Sequence, residues 1–181
     1  MIHNAIPNVG TAERDAVAEA VETGMLAVGP AVGALEERMS ERMGGQHAVA
    51  VQSGTAALHL ALLAAGVEDG DLVIVPEATF IATVNAVCYC NAHPLLADVD
   101  PETGLLDIAE LFDFLDTECE TRDGVTVDRK TGRAVRAIVP VHLYGHPVDM
   151  DALSQALTPH AIAIVEDAAE SLGATYRGKP A

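Results

Sequence analysis

The spacing of apolar residues changes character along the chain at Gly44-Gly45. Before that point Ala16, Val17, Ala20 and Val21 recur at helical intervals, with Thr11 read as the cap and Gly24 as the stop, and a second helix is predicted over residues 31–43. After it, nearly continuous apolar runs predict strands at HAVAVQ (47–52), LVIVP (72–76), HPLLADVD (93–100), RAIVPVH (136–142) and AIAIVED (161–167). Helical patterns fill the intervals: TAALHLALLAAG (55–66), ATFIATVNAVCYCN (78–91), residues 106–118 and residues 150–157. Strands that are apolar on both faces and alternate with helices form a parallel sheet covered on both sides, so the chain is expected to be α/β. One stretch departs from this rhythm. DGVTVDRKTGRAVRA carries two short β-prone runs around Arg129-Lys130-Thr131-Gly132, which predicts a hairpin decorating the domain.

A chain of 181 residues is long enough for one domain with a real core. Half of it is apolar, yet no run approaches the roughly 20 residues of a membrane helix, and the start MIHNAIPNVG has no basic segment followed by an apolar one. A cytoplasmic protein is expected. The net charge of −17, with Lys130 and Lys179 as the only lysines, disfavours nucleic acid and anionic membranes as partners. The same acid excess fits a salt-adapted host, where concentrated ions screen self-repulsion. Three cysteines, Cys88, Cys90 and Cys119, support neither a disulfide framework nor a zinc site, and the simplest expectation is buried, reduced thiols.

Ligands of open parallel sheets bind beyond the carboxyl ends of the strands, so the residues there carry the candidate chemistry. Ser53-Gly54-Thr55-Ala56 follows the first predicted strand, where a glycine and the free N–H groups of a helix start suit a phosphate; an ordinary capped turn gives the same pattern. Phe80 follows the second, with a core role as its default. His142 and His146 follow the fourth at a spacing of four, but Gly145 and Pro147 make that segment a loop, which does not align them for a metal. Glu166 and Asp167 end the fifth, with Glu170 close behind. A buried carboxylate needs a cationic partner, and a protonated pyridine nitrogen of a ligand is one; a helix N-cap is the plain alternative.

Taken together, the ordered segments SGTAAL (53–58), PEATF (76–80), Val99-Asp100, PVHLYG (140–145) and EDAAESLG (166–173) resemble the DegT/StrS family of pyridoxal-phosphate-dependent sugar aminotransferases. The resemblance spans nearly the whole chain. Within the family, GHPVDMD and the hairpin before it look most like the branch acting on nucleotide-linked 4-keto-6-deoxy sugars. It implies a type I aminotransferase-like large domain, incomplete at its carboxyl end, with residues 1–181 as its N-terminal portion and the small domain absent. In that fold the HAVAVQ strand is separated from AIAIVED by two strands that come later in the chain. A four-stranded remnant with a detached first strand is therefore expected.

The resemblance also assigns roles. Asp167 would pair with the pyridine nitrogen of pyridoxal phosphate, Phe80 would stack on the ring, and Gly54 and Thr55 would hold the phosphate. Thr79 would shape the turn before Phe80. Glu170 would lie near the cofactor's phenolic oxygen, where a carboxylate is repulsive unless protonated or separated by water. Glu166 is read as structural. No catalytic residue is assigned within the chain, because the family's Schiff-base lysine lies further on than Ala181; Lys130 sits in the predicted hairpin and Lys179 in a β-turn, YRGKP. The implied reaction transfers an amino group, from glutamate in most of the family, to a nucleotide-linked keto sugar for surface-glycan or sugar-nucleotide biosynthesis, in a homodimer when intact. A dehydratase of the same family and a non-catalytic binding fragment are the alternatives. A nicotinamide-binding domain is disfavoured, since no G-x-G-x-x-G follows the first strand.

Overall fold

A computed structural model describes residues 6–45 and 47–181. Residues 1–5, on which the reading of the amino terminus partly rested, lie outside that range. Contacts divide the chain into two compact units, Met1–Ala50 and Val51–Ala181.

In the first unit, α1 (Thr11–Thr23) and α2 (Pro30–Arg42) are both amphipathic in sequence but bury no residue. The cap of α1 is Gly10 rather than Thr11: the Glu13 carboxylate folds back to accept the Gly10 N–H at 2.7 Å. The Gly10 carbonyl accepts the Arg14 N–H at 3.3 Å, which makes Gly10 the residue flanking the first turn. Gly24 ends the helix in the left-handed conformation, as expected. Residues 47–52 form no strand, and Val49 is 79% exposed.

The second unit is a parallel sheet flanked by helices. Its elements are α3 (Gly54–Ala64), β1 (Leu72–Pro76), α4 (Ile81–Tyr89), β2 (His93–Ala97), α5 (Ile108–Thr117), β5 (Val135–Ile138), α6 (Met150–Leu157) and β6 (Ala163–Ile164). Two antiparallel pairs accompany them, β3 (Cys119–Arg122) with β4 (Val125–Asp128), and β7 (Thr175–Tyr176) with β8 (Lys179–Pro180). The sheet runs β2-β1-β5-β6, all neighbours parallel. Four strands without the HAVAVQ segment is the arrangement expected from the sequence.

Period-two alternation divides the core. Val73 and Val75 of β1 join Leu58, Leu62, Ala86 and Val87 of α3 and α4, whereas Leu72 and Ile74 join Leu111, Leu115, Leu153 and Leu157 of α5 and α6. On β5 the alternation is interrupted. Leu72 pairs with Val135 but Val73 with Ala137, so Arg136 is the extra residue of a bulge. Its guanidinium is thereby aimed at the buried Asp71 carboxylate, Nε to Oδ2 3.1 Å.

The hairpin lies elsewhere than the sequence reading placed it. β3 and β4 reverse at Asp123-Gly124, both left-handed (φ 51° and 81°), the turn that matches strand twist. The chain does turn back over residues 128–133, with Val127 bridging Ala134, but the run beyond it enters the parallel sheet as β5. β7 and β8 turn at Arg177-Gly178, the β-turn expected at YRGKP, and Lys179 begins β8, a strand that was not expected. No helix among the described residues is long and apolar enough to cross a membrane.

Of the cysteines, Cys90 and Cys119 are buried but Cys88 is exposed, because residues two apart on α4 and its C-cap face different ways. Burial pushes the Cys90 thiol up, and burial together with the nearby Asp128 charge pushes Cys119 to about 11. Thiolates are the reactive form, so native protein treated with iodoacetamide at neutral pH should be labelled at Cys88 alone, checked by peptide mapping. Equal labelling of Cys90 or Cys119 would show that the end of α4 or the start of β3 opens readily.

Candidate active site

Strand order reverses at β1: β2, next in the chain, lies on one side of it and β5 on the other. A crevice opens at such a switch point, beyond the strand ends. Here it is a cleft of about 330 Å³, lined by Gly54, Thr55, Leu58, Thr79, Phe80, Ala82, Val141, Leu143, Asp167, Ala169 and Glu170. All five residues singled out in the sequence, Gly54, Thr55, Phe80, Asp167 and Glu170, meet there.

Ser53 caps α3, its Oγ accepting the Ala56 N–H at 3.2 Å while its carbonyl accepts the Ala57 N–H at 3.0 Å. The amides of Gly54 and Thr55 are left without a protein acceptor among the described hydrogen bonds. A Cβ on Gly54 would meet no atom within 4 Å, so the approach to these donors is open. Two free N–H groups at a helix start form an anion site.

Asp167 is buried, at 8% exposure, and is fixed from three sides. Its N–H donates to the Pro140 carbonyl at 2.9 Å and its carbonyl accepts the His142 N–H at 3.1 Å, which continues the pairing of β5 with β6 past their last ladder residues. Its Oδ2 accepts the Thr83 hydroxyl at 2.7 Å. Thr83 is fully buried and touches Thr79 Oγ1 at 2.8 Å; since its own proton goes to the carboxylate, Thr79 is the donor of that pair. No cation pairs with Asp167 among the described residues, and none lines the cleft.

Glu166, one residue earlier, is directed by strand alternation to the other side. Its Oε2 accepts from His142 Nε2 at 2.9 Å, while His142 Nδ1 accepts the Val148 N–H at 3.2 Å. The accepted N–H fixes the imidazole as the Nε2–H tautomer. Both ring nitrogens are engaged and His146 is exposed, so the two histidines do not converge on a common point. Glu166 is therefore structural, as read, with a partner that the sequence did not identify.

Phe80 is 76% exposed at the head of α4, so it is no core residue. Glu170 Oε2 accepts the N–H of Tyr144 at 2.5 Å. Lys130 and Lys179 do not line the cleft. Thr83 is the residue that the sequence reading missed, and for His142 it missed the pairing with Glu166. The signal for Thr83 is a second threonine four residues after Thr79, one helical turn along.

A relative in Caulobacter vibrioides, GDP-perosamine synthase, is 42% identical over 176 residues, covering 97% of this chain and 43% of its own length. DesV of S. venezuelae, solved with a ketimine intermediate, is 37% identical with a TM-score of 0.80, over 94% of this chain and 42% of that one. The E. coli GDP-4-keto-6-deoxy-D-mannose-3-dehydratase, solved with bound hydrated PLP, is 25% identical with a TM-score of 0.80, over 98% of this chain and 43% of that one. The chain thus spans less than half the length of these relatives. With the family profile matching residues 7–181, the chain belongs to the DegT/DnrJ/EryC1/StrS aminotransferase family, whose cofactor is pyridoxal phosphate.

Proposed function

We propose that the cleft holds pyridoxal phosphate and that the protein carrying this chain transfers an amino group from an amino acid, glutamate by family precedent, to a nucleotide-linked keto sugar. The observation that carries this reading is Asp167: a carboxylate buried against Thr83, open to a cleft and without a cation. A protonated pyridine nitrogen supplies that charge, and the two unclaimed amides at Gly54 and Thr55 supply donors for a phosphate at the same cleft. The residues present therefore fit the group. When bound, it acts as the electron sink for proton loss at the donor's α-carbon.

In this reading Asp167 keeps the pyridine nitrogen protonated, and Thr83 and Thr79 orient the carboxylate. Phe80 offers a ring face to the cofactor, Gly54 and Thr55 bind its phosphate, and Leu58, Val141 and Leu143 exclude water. Glu170 completes the wall. The cleft contains no lysine, so the amine that carries the cofactor comes from outside these 181 residues, which form the N-terminal portion of the cofactor-binding domain. GDP-perosamine synthase supports a GDP-linked sugar as acceptor, within sugar-nucleotide or polysaccharide biosynthesis. A homodimer fits the exposed Leu60, Leu63, Ile81 and Tyr89 on α3 and α4, apolar residues that a second copy would cover. The dehydratase neighbour favours a second reading, removal of a sugar hydroxyl on the same cofactor. Product analysis of a GDP-linked keto sugar with glutamate separates them: an amino sugar with 2-oxoglutarate, or a deoxy sugar.

In the full-length protein, Asp167→Asn should lower turnover by at least about a hundredfold, since it removes the negative charge that keeps the ring nitrogen protonated. Phe80→Leu should raise the Kd for pyridoxal phosphate by about two- to tenfold, by absorbance titration, with the fold intact by circular dichroism. Unaltered turnover in Asp167→Asn would refute the assignment. The isolated 1–181 chain should turn over no keto-sugar nucleotide. Measurable transamination by it would place the amine within these residues.

A further inference from the structure

One acid of the cleft is already engaged by the protein itself. Glu170 does not stand free to meet a cofactor: its Oε2 accepts the backbone N–H of Tyr144 at 2.5 Å. That N–H belongs to a turn which needs holding. Tyr144 is a bulky residue with φ 54° and ψ 25°, in the left-handed region, and its side chain is 88% exposed, so burial does not offset the strain. The turn is closed by Gly145 N–H to His142 O at 3.1 Å and His146 N–H to Leu143 O at 3.0 Å. The turn also passes close to the backbone of residue 170, since a Cβ on Gly145 (φ 81°) would approach the Glu170 carbonyl to 3.2 Å. Leu143 of this turn lines the cleft, as does Glu170 itself.

We propose that Glu170 is a positioning residue: it latches the Leu143–Gly145 turn in a strained conformation, and the latched turn forms the wall of the cleft against which the sugar-nucleotide lies. The inference rests on the pyridoxal-phosphate and keto-sugar reading and specifies how one side of that site is built. It also accounts for an acid at a place where direct contact with the cofactor's phenolic oxygen would be repulsive: the charge is spent on a backbone amide. A glutamine retains an acceptor oxygen and so can keep the latch, whereas an alanine cannot. Glycine at 144 takes a positive φ without strain, so it should make the latch dispensable.

The test compares wild type, E170A, E170Q and the double variant Y144G/E170A in the full-length protein. Hydrogen exchange reports the Gly145 and His146 amides, absorbance titration reports the Kd for pyridoxal phosphate, and steady-state kinetics report KM for GDP-4-keto-6-deoxymannose. In E170A exchange at both amides should rise at least tenfold and KM about tenfold. E170Q should recover most of both effects, and Y144G/E170A should recover the slow exchange. A weakened cofactor Kd in E170A with the turn amides unmoved would overturn the proposal and make Glu170 a cofactor contact. Opening of the turn without a change in KM would overturn it as well, by removing the turn from the substrate wall. A wild-type protein that takes up no pyridoxal phosphate would instead sink the functional reading, while the exchange of the turn amides still decides on the latch.

Discussion

A carboxylate removed from water must be satisfied or neutralised, and the arrangement around Asp167 follows from that constraint. β6 has only two ladder residues, yet two backbone bonds to Pro140 and His142 carry its pairing with β5 onward to the acid. On one side the carboxylate receives the Thr83 hydroxyl, itself backed by Thr79 across the first turn of α4. On the other side Glu166 accepts from a histidine whose second nitrogen is fixed by Val148. Two adjacent acids thus serve two faces of one strand end. The first locks β5 to β6, and the second, whose Oδ1 also accepts the Ala169 N–H at 3.3 Å, lines the cleft.

The cleft is polarised by local donors rather than by the overall field. A chain of net charge −17 repels a phosphate-bearing ligand at long range, but screening at physiological salt limits that field to about 8 Å. Within the cleft, the free amides at Gly54 and Thr55 act at contact distance, where a helix start attracts an anion. In the proposed reading the ends of the ligand are distinguished by short-range chemistry: amides for its anionic end, Asp167 for its cationic one.

Much of this was legible in the sequence because the relevant signals are local. The strand at LVIVP and the helix after it follow from apolar periodicity, and the five cleft residues stand at or near strand ends, where the family resemblance, and not periodicity, assigns them to a cofactor. The features that escaped depend on contacts distant in sequence. Thr83 is a donor only because Asp167, 84 residues later, is brought against it, and His142 gains its role from Glu166. The bulge at Arg136 is set by the buried Asp71, 65 residues away. The hairpin is a different case. Asp123-Gly124 carried the stronger local signal, and the Arg129–Gly132 turn was read in its place; the run after Gly132 is apolar enough to be claimed by the sheet. At α1 the cap moved from Thr11 to Gly10 because a glutamate three residues on could reach a free N–H.

The central claim is that Asp167 holds a positive charge on the cofactor's ring nitrogen. It is tested most directly by the ¹⁵N resonance of ring-labelled pyridoxal phosphate bound to the full-length protein. The account predicts a protonated nitrogen with a one-bond N–H coupling in wild type, lost when Asp167 is replaced by Asn. An unprotonated nitrogen in the wild-type complex would contradict it.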